Sequence, residues 1–373
     1  MGSAYVAHYG WPVPDSTPAL DLSADIVTLT AAVCDIPSVS GAERPLADAV
    51  EAALTPLGHL EVERVGNVVV ARTHAGRAER VVLAGHLDTV PLTDPPNLPT
   101  RVEGDVLWGR GTVDMKGGVA VQLRLAAALS SPRRDITYVF YDNEEVDASR
   151  NGLGHLARSH PHLLAADFAV LLEPTRAHVE GGCKGTLRVE LELTGKAAHS
   201  GRPWVGDNAV HKAAPVLTRL RDYQAREVLV DGLTYHEGLS AVGITGGIAG
   251  NVIPDRCVVT VNYRFAPDRS QEEALAHVRE VFAGIESLQL RVTDSASGAR
   301  PGLDRPIAQS FVADLAVEVT AKEGWTDVAR FADLGVPAVN FGPGDALLAH
   351  QDDERVPLAQ LRDAEAALLR WLA

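Results

Sequence analysis

The sequence contains Ile136-Thr137-Tyr138-Val139-Phe140-Tyr141-Asp142-Asn143-Glu144-Glu145, an apolar, β-branched and aromatic run that stops at two adjacent carboxylates. A continuous apolar run of this length is typical of a strand covered by helices on both faces. Ligand crevices in such sheets lie just beyond the carboxyl ends of the strands. The run therefore predicts a buried strand with Glu144 and Glu145 in a crevice, although a Glu-Glu pair is also common in a solvated loop or at a helix start.

A second apolar run, residues 81–85, is followed by His86 and Asp88. Side chains two residues apart in an extended chain share a face, so these two point the same way. In metal sites a carboxylate often accepts the remaining ring N–H of a ligating histidine and fixes its tautomer. The His-x-Asp pair therefore predicts either such a site or a structural hydrogen bond.

Asp114 lies in Gly109-Arg110-Gly111-Thr112-Val113-Asp114-Met115-Lys116-Gly117-Gly118, ahead of a predicted apolar helix over residues 119–129. The glycine spacing matches neither the P-loop nor the dinucleotide-binding fingerprint, so nucleotide binding is rejected. The glycines instead allow Asp114 to approach the crevice at the start of a helix.

Glu173 follows a third apolar run, residues 169–172. The polar residues named so far lie at or just past strand ends or at a helix entry, and one sheet edge can accommodate them all. Carboxylates gathered there repel, at a cost on the order of several kcal/mol, unless cations neutralise them. A site for two metal ions resolves this conflict.

The composition describes a globular chain of 373 residues with 46% hydrophobic content, long enough for two domains. The formal net charge of -15 argues against nucleic acid and anionic membranes as partners. The three cysteines, Cys34, Cys183 and Cys257, are far apart and fit a reducing cytoplasm. A metal site in this chain must therefore use histidine and carboxylate ligands.

Residues 1–20 contain no basic segment followed by an apolar core, and no apolar run approaches the ~20 residues of a membrane span. We therefore expect a cytoplasmic protein without a leader or a membrane anchor. The Gly, Pro and Ser content of residues 1–20 predicts a loosely held lead-in.

The periodicity of the chain predicts an α/β fold. Apolar residues recur at helical spacing over residues 21–36, with Asp21 or Ser23 as the N-cap. Two strand-like runs flank Gly66-Asn67, which favours a hairpin. Residues 307–322 predict another helix.

From Lys184 onward apolar and charged residues alternate, which is the period of a half-exposed antiparallel strand. The predicted order strand-helix-strand-strand-helix-strand then indicates a small α+β insertion. We expect a larger domain formed by residues 1–183 and 298–373, with residues 184–297 as the inserted domain.

Five motifs resemble, in chain order, those of the di-zinc aminoacylase and metallopeptidase family: His86-Leu87-Asp88-Thr89-Val90-Pro91, the glycine-rich segment 109–118, Glu144-Glu145, Glu173-Pro174 and a late His350. The resemblance covers nearly all of the chain from Asp21 onward. It implies a mixed, mostly parallel sheet flanked by helices and a ferredoxin-like insertion that serves as lid and dimerisation domain.

The resemblance also implies a role for each motif residue. The expected ligands of two zinc ions are His86 and Glu173 for one, Glu145 and His350 for the other, and Asp114 for both. Cobalt or manganese can replace zinc at such ligands. Glu144 is expected to be the general base and Asp88 to orient the site, while the peptide bond between Asp114 and Met115 is expected to be cis.

Four further residues match positions that contact substrate in the family. His199, in Ala197-Ala198-His199-Ser200-Gly201, is expected to stabilise the oxyanion, from its own subunit or from a partner in a homodimer. Asn251 is expected to contact substrate, and Arg264 and Arg330 to bind its carboxylates. Without the resemblance, His199 indicates only an exposed loop residue and the two arginines indicate surface ion pairs.

The motif set resembles that of the succinyl-diaminopimelate desuccinylases most. It implies hydrolysis of a small N-acyl amino acid, N-succinyl-LL-2,6-diaminopimelate, to succinate and LL-2,6-diaminopimelate. Acetylornithine deacetylation and dipeptidase or carboxypeptidase activity are the alternatives within the family. A non-catalytic binding protein on this scaffold is the alternative from another class; loss of a ligand or of the base would favour it, and every expected position is filled here.

Overall fold

The computed structural model describes residues 18–373, so most of the predicted lead-in lies outside the described residues. The chain divides into two compact units. The first contains the described residues up to Gly181, Gly302–Thr320 and Arg330–Ala373, and the second contains Gly182–Pro301 and Ala321–Ala329. No helix within residues 18–373 has the length and apolar character that crossing a bilayer requires.

The described residues form ten α-helices and nineteen strands. The helices are α1 (Ile26–Cys34), α2 (Arg44–Leu54), α3 (Lys116–Ala128), α4 (Gly152–Ser159), α5 (Ala209–Lys212), α6 (Ala214–Arg221), α7 (Gln271–Val281), α8 (Pro306–Leu315), α9 (Val328–Asp333) and α10 (Leu358–Leu372). The strands are β1 (Leu60–Val65), β2 (Val68–Thr73), β3 (Arg80–His86), β4 (Arg101–Glu103), β5 (Val106–Trp108), β6 (Asp135–Tyr141), β7 (Phe168–Leu171), β8 (Val179–Gly181), β9 (Gly185–Thr194), β10 (Ala198–His199), β11 (Glu227–Val230), β12 (Leu233–His236), β13 (Gly238–Gly246), β14 (Val252–Ile253), β15 (Arg256–Phe265), β16 (Leu288–Ala296), β17 (Val319–Ala321), β18 (Ala338–Asn340) and β19 (Arg355–Pro357).

An eight-stranded sheet in the order β1-β2-β6-β3-β7-β18-β8-β17 forms the centre of the first unit. Its four middle strands, β6, β3, β7 and β18, run parallel to one another. Every residue of β6 is buried, which confirms the strand predicted from the apolar run and shows that both faces of the sheet are covered there. Helix α3 packs on β3, and α1 and α10 pack on α3.

The predicted hairpin at Gly66-Asn67 is confirmed, since Val65 pairs with Val68 at the ends of β1 and β2. Gly66 has a φ of 64°, a left-handed conformation that glycine adopts without steric cost. This hairpin adds two antiparallel strands to the parallel centre, because β2 pairs antiparallel with β6. The sheet is therefore mixed, as expected.

The second unit contains a four-stranded antiparallel sheet in the order β13-β15-β9-β16. Its main elements follow the chain order β9, α5 with α6, β13, β15, α7 and β16, which is the ferredoxin-like arrangement predicted for the insertion. The alternating residues of β9 behave as their period predicts: Leu187, Val189, Leu191 and Leu193 are buried in a core that α6 and α7 help to form.

Two helix boundaries differ from the prediction. Helix α1 begins at Ile26, and its N-cap is Asp25 rather than Asp21 or Ser23, because the Asp25 carboxylate accepts the backbone N–H groups of Val27 and Thr28. The helix predicted over residues 307–322 ends at Leu315 as α8, and strand β17 follows it.

Three strands that meet in a small sheet, β19-β5-β4, and the hairpin of β11 and β12 were not predicted. The hairpin turns at Asp231-Gly232, with positive φ at both residues. Asp-Gly between two strands is a recognised hairpin signal, so the sequence did contain a signal for this turn.

Candidate metal centre and active site

Three groups of side chains in the described part of the chain can each hold a metal ion, with their ligand atoms within 4.8 Å of one another. The groups are His86 with Asp114 and Glu173, Asp114 with Glu145 and His350, and His86 with Glu144 and Glu145. The first two share Asp114. These two groups contain the same residues as the two ligand sets that the family resemblance implies.

Two neighbouring parallel strands bring the centre together. β3 ends at His86, and its parallel partner β6 ends at Tyr141, which pairs with His86 in register. The chain then leaves the sheet through Asn143, whose φ is 58°. Adjacent residues of an extended strand point apart, so this turn is what allows Glu144 and Glu145 to face one site.

The Asp88 carboxylate holds that turn through hydrogen bonds to its backbone. Its Oδ1 accepts the backbone N–H of Glu144 at 3.0 Å and its Oδ2 that of Glu145 at 3.1 Å. The hydroxyl of Ser40 donates to Oδ2 at 2.7 Å. Asp88 is fully buried, so these contacts hold both glutamates through their backbone.

The tautomer of His86 is set differently from the expectation. Its Nδ1 lies 3.0 Å from the backbone carbonyl of Asp88 and 3.5 Å from the Asp88 carboxylate, so the carbonyl is the nearer acceptor. A proton on Nδ1 leaves Nε2 directed at Asp114, with 3.1 Å between Nε2 and Oδ1. His86 therefore presents the lone pair of Nε2 to the centre when the ring is neutral.

Close packing at the start of α3 brings Asp114 to the centre. A Cβ atom on Gly118 would lie 2.2 Å from the carbonyl oxygen of Leu172, so only glycine allows this approach. Leu172 directly precedes Glu173, and Asp114 lies four residues before Gly118. The peptide bond between Asp114 and Met115 is cis, as expected.

The carboxylates give the centre a strongly negative potential. Hydrogen bonds that the His350 ring donates to Asp114 and to Glu145 raise the pKa of His350 to about 10. Burial opposes protonation of His86, but hydrogen bonds to Asp114 and Asp88 raise its pKa well above 6.5. The pKa values of both imidazoles are thus raised because nearby carboxylates stabilise positive charge in this site.

This donor set fits divalent transition metals. Imidazole nitrogen and carboxylate oxygen are ligands that zinc accepts, and each group leaves coordination positions for water or substrate. We identify His86, Asp114, Glu145, Glu173 and His350 as the residues that could hold such ions, on the basis of their grouping in the structure.

His199 lies in the second unit, where β10 pairs with β14. Its Nδ1 accepts the backbone N–H of Gly201 at 3.0 Å, so a neutral ring carries its proton on Nε2. The backbone N–H of Ser200 donates to the carbonyl of Asn251 at 2.9 Å, which joins the His199 and Asn251 segments. Both side chains are exposed.

The two arginines lie in different units. Arg264, on β15 of the second unit, is half-buried, and burial together with the nearby Arg188 lowers its pKa. Arg330 is half-buried on α9 in the first unit, and its Nη1 would lie 2.8 Å from a Cβ on Gly154. The structure therefore shows their local surroundings, and their roles toward substrate stay predictions.

A sequence model of peptidase family M20/M25/M40 matches residues 82–373. The chain belongs to this family. The resemblance noted from the motifs is thereby confirmed.

Two named relatives in the M20 family are similar over nearly their whole length. A Mycobacterium tuberculosis protein with the provisional name succinyl-diaminopimelate desuccinylase DapE is 56% identical over 354 residues, covering 95% of this chain and 99% of the relative. The succinyl-diaminopimelate desuccinylase of Corynebacterium glutamicum is 46% identical over 364 residues, covering 95% of this chain and 98% of the relative.

Solved structures show the same M20 fold. A tripeptidase from Staphylococcus aureus superposes with a TM-score of 0.77 at 20% identity, covering 95% of this chain and 98% of the other. The M20 metallo-carboxypeptidase Sso-CP2 from Sulfolobus solfataricus superposes with a TM-score of 0.75 at 16% identity, covering 93% and 98%. These likenesses establish the architecture.

Three side chains that support this centre were not predicted from the sequence. Glu43 is fully buried, accepts the backbone N–H of Asn143 at 3.2 Å, and has a pKa raised by burial to about 7. Arg110 and Glu354 form a buried ion pair beside Asp114. Arg110 lies inside a quoted motif and Glu354 lies four residues after His350, but nothing in the sequence pairs them.

Proposed function

We propose that this chain is a metal-dependent amidohydrolase that cleaves N-succinyl-LL-2,6-diaminopimelate to succinate and LL-2,6-diaminopimelate. The observation that carries the proposal is the pair of ligand groups sharing Asp114, found in a chain 46% identical, over nearly its full length, to a succinyl-diaminopimelate desuccinylase. A binding protein without catalysis would have no need to keep Glu144 beside two complete ligand groups.

The proposed cofactors are two zinc ions, for which cobalt or manganese can substitute. His86 and Glu173 would hold one ion, Glu145 and His350 the other, and Asp114 both. When bound, such ions supply Lewis-acid polarisation of the amide carbonyl and an activated water. The other steps belong to side chains of the protein.

Glu144 is the proposed general base. It takes a proton from the attacking water as the water oxygen forms a bond to the amide carbon, and it delivers a proton to the amine nitrogen as the C–N bond breaks. The Asp88 carboxylate accepts the backbone N–H of Glu144 at 3.0 Å, which holds the backbone that carries this base. The products are a carboxylate and a free amine, which balances the hydrolysis.

His199 is the proposed donor to the developing oxyanion. Its Nδ1 is occupied by the N–H of Gly201, which leaves the Nε2 proton available for donation. Hydrogen-bond donors aimed at a developing negative charge are among the larger contributions to catalysis. The donor can come from the same chain or from a partner subunit.

Asn251, Arg264 and Arg330 are the proposed substrate-binding residues. The substrate has several carboxylates, and a protein of net charge -15 must bind them through local cations. Arg264 supports this role, since no hydrogen bond or ion pair with another described residue holds its half-buried guanidinium. A guanidinium in this condition gains more from a carboxylate ligand than one already paired.

Residues 184–297 are the proposed lid and dimerisation domain of a cytoplasmic homodimer. β13 is an edge strand of the second unit's sheet, and Val242 and Ile244 on it are 61% and 51% exposed. An edge strand with exposed apolar side chains favours pairing with another chain. We propose that a second copy supplies this partner.

A substrate panel tests the reaction. The purified, metal-loaded protein is assayed with succinyl-diaminopimelate, acetylornithine and simple dipeptides, and the released amine is quantified. We expect the highest kcat/KM for succinyl-diaminopimelate. A clear preference for acetylornithine or for a dipeptide would reject the assignment and favour the alternative family activity.

A further inference from the structure

The ion pair of Arg110 and Glu354 is buried, with Nη1 2.8 Å from Oε2. The two side chains are 4% and 1% exposed. Charged side chains are almost never fully buried unless a partner and further hydrogen bonds hold them. The other hydrogen bonds of Arg110 and Glu354 therefore indicate the role of this buried ion pair.

Glu354 holds the backbone of Asp114. Its Oε1 accepts the N–H of Val113 at 3.0 Å and that of Asp114 at 3.2 Å. A carboxylate that receives two backbone donors makes strong, directional hydrogen bonds and so fixes the peptide between them. The Asp114 carboxylate in turn lies 3.1 Å from His86 and 3.4 Å from His350.

Arg110 holds the segment that follows His350. Its Nη1 also donates to the backbone carbonyl of Gln351 at 3.1 Å. A backbone hydrogen bond of 3.0 Å runs from the N–H of Gly109 to the carbonyl of Glu354. Both members of the ion pair therefore connect the loop before α3 with the loop after His350.

We propose that Glu354 is a positioning residue of the metal centre. Together with Arg110 it sets the separation between Asp114 and His350, and so the geometry in which these two side chains receive a metal ion. Glu354 belongs to none of the ligand groups, so it acts through Asp114 and the His350 loop. The inference rests on the proposed metal centre.

Glu354→Gln tests the proposal. The variant keeps the size of the side chain and one acceptor oxygen, but it removes the charge that pairs with Arg110. The apoprotein is titrated with Zn²⁺ against a chromogenic chelator, and the absorption spectrum of the Co²⁺-loaded protein reports ligand geometry. We expect Zn²⁺ affinity to fall about 10–100-fold, as for other residues that orient metal ligands. The Co²⁺ bands should shift, and kcat should fall while KM stays at the wild-type value.

Asp353→Asn is the matched control. Asp353 precedes Glu354, but its ion pair with Arg355 lies at the surface, with the Asp353 side chain 57% exposed. The control should keep the wild-type Zn²⁺ affinity and Co²⁺ spectrum. A Glu354→Gln protein that has a lower melting temperature but unchanged affinity and spectrum overturns the proposal, because its ion pair is then merely structural.

Failure of the metal centre itself gives a different result. Wild-type protein that binds no Zn²⁺ in the same titration overturns both the centre and this inference, whereas a failure confined to Glu354→Gln overturns only the inference. If that variant does not fold, Arg110→Lys replaces it, since lysine lacks the rigid guanidinium that serves both Glu354 and Gln351. Weakened Zn²⁺ binding then supports the proposal and unchanged binding overturns it.

Discussion

Glu144 and Glu145 are adjacent and share the Asp88 carboxylate as the acceptor of their backbone N–H groups. Both side chains belong to a candidate ligand group with His86, but only Glu145 belongs to a second group. Glu145 lies in a ligand group with Asp114 and His350, with 2.9 Å between its Oε1 and the His350 Nε2. Glu144 is in neither of the groups that contain Asp114. This difference agrees with one residue as a ligand and the other as a proton carrier.

Substituting each glutamate separates the two roles. Glu144→Ala should keep its metal and lose about 10²–10⁴-fold in kcat, which is the range for removal of a general base. Glu145→Ala should lose metal, measured as bound zinc per chain by elemental analysis. Near-normal turnover by metal-loaded Glu144→Ala would remove Glu144 from the role of base.

Four candidate ligands, His86, Asp114, Glu145 and Glu173, were noticed in the sequence because each follows an apolar run or lies at a helix entry. The fifth, His350, was named only because of the family resemblance. Glu43 and Glu354 could not be predicted in the same way. Glu354 bonds to a backbone N–H 240 residues away and Glu43 to one 100 residues away. A carboxylate that recognises a distant peptide group leaves no pattern in the side chains.

The N-cap of helix α1 shows that hydrophobic periodicity does not identify the capping residue. Asp21, Ser23 and Asp25 all precede the apolar run, and each is a good N-cap residue by type. The choice depends on which carboxylate reaches free N–H groups, and Asp25 does so while Asp21 binds the Ser23 backbone and hydroxyl. Sequence alone could not decide between them.

Asp25→Ala should therefore lower the free energy of unfolding by about 1 kcal/mol, the usual cost of losing an N-cap side chain. Asp21→Ala is the matched control and should cost clearly less, because its partners lie in the turn before the helix. Urea denaturation of both variants measures the difference. Equal losses would show that the assigned cap contributes nothing particular.

At the start of β6, Asp135 connects the strand to the end of β2. Its carboxylate accepts the N–H groups of Ala75 and Arg77 and the Thr73 hydroxyl at 2.7–2.9 Å. Burial alone would raise the pKa of Asp135, but these donors outweigh it and hold the pKa below 3.8. The carboxylate is thus stabilised in the folded state.

Asp135→Asn should lower the free energy of unfolding at pH 7 by about 1–3 kcal/mol, since an amide nitrogen would face an N–H donor. Because the folded pKa is depressed, the contribution is complete above pH 3.8 and is lost as pH falls through the folded pKa. The difference between wild type and variant should therefore narrow in acid. A difference that is constant from pH 7 to pH 3 would contradict the assigned charge interaction.

Helices and strands were predicted well where a single hydrophobic periodicity runs along the whole segment. They were predicted less well where a strand forms only because it pairs with another strand. β6 and β9 follow their patterns over their full lengths. The helical pattern over residues 307–322 fails at Ala316, which has a φ of 54°, and residues 319–321 join the edge of the sheet instead. An edge strand of three residues gains its stability from a distant neighbour, so local spacing does not reveal it.

On the scale of the whole molecule, the proposed homodimer makes a measurable prediction. Ile244→Lys places a charge on the exposed edge strand β13 and should convert the protein to a monomer in sedimentation velocity experiments. Leu229→Lys is the matched control, because Leu229 is 72% exposed but lies on β11, in a separate hairpin. If the Ile244→Lys variant remains a dimer, β13 does not form the interface.

Metal dependence is the claim on which the function of the whole molecule rests. Purified protein is stripped with a chelator, and hydrolysis of succinyl-diaminopimelate is measured as Zn²⁺ is returned in known amounts. We expect an inactive apoprotein whose turnover rises with bound metal and levels off at two ions per chain. A fully active apoprotein, with no zinc, cobalt or manganese detected, would contradict it.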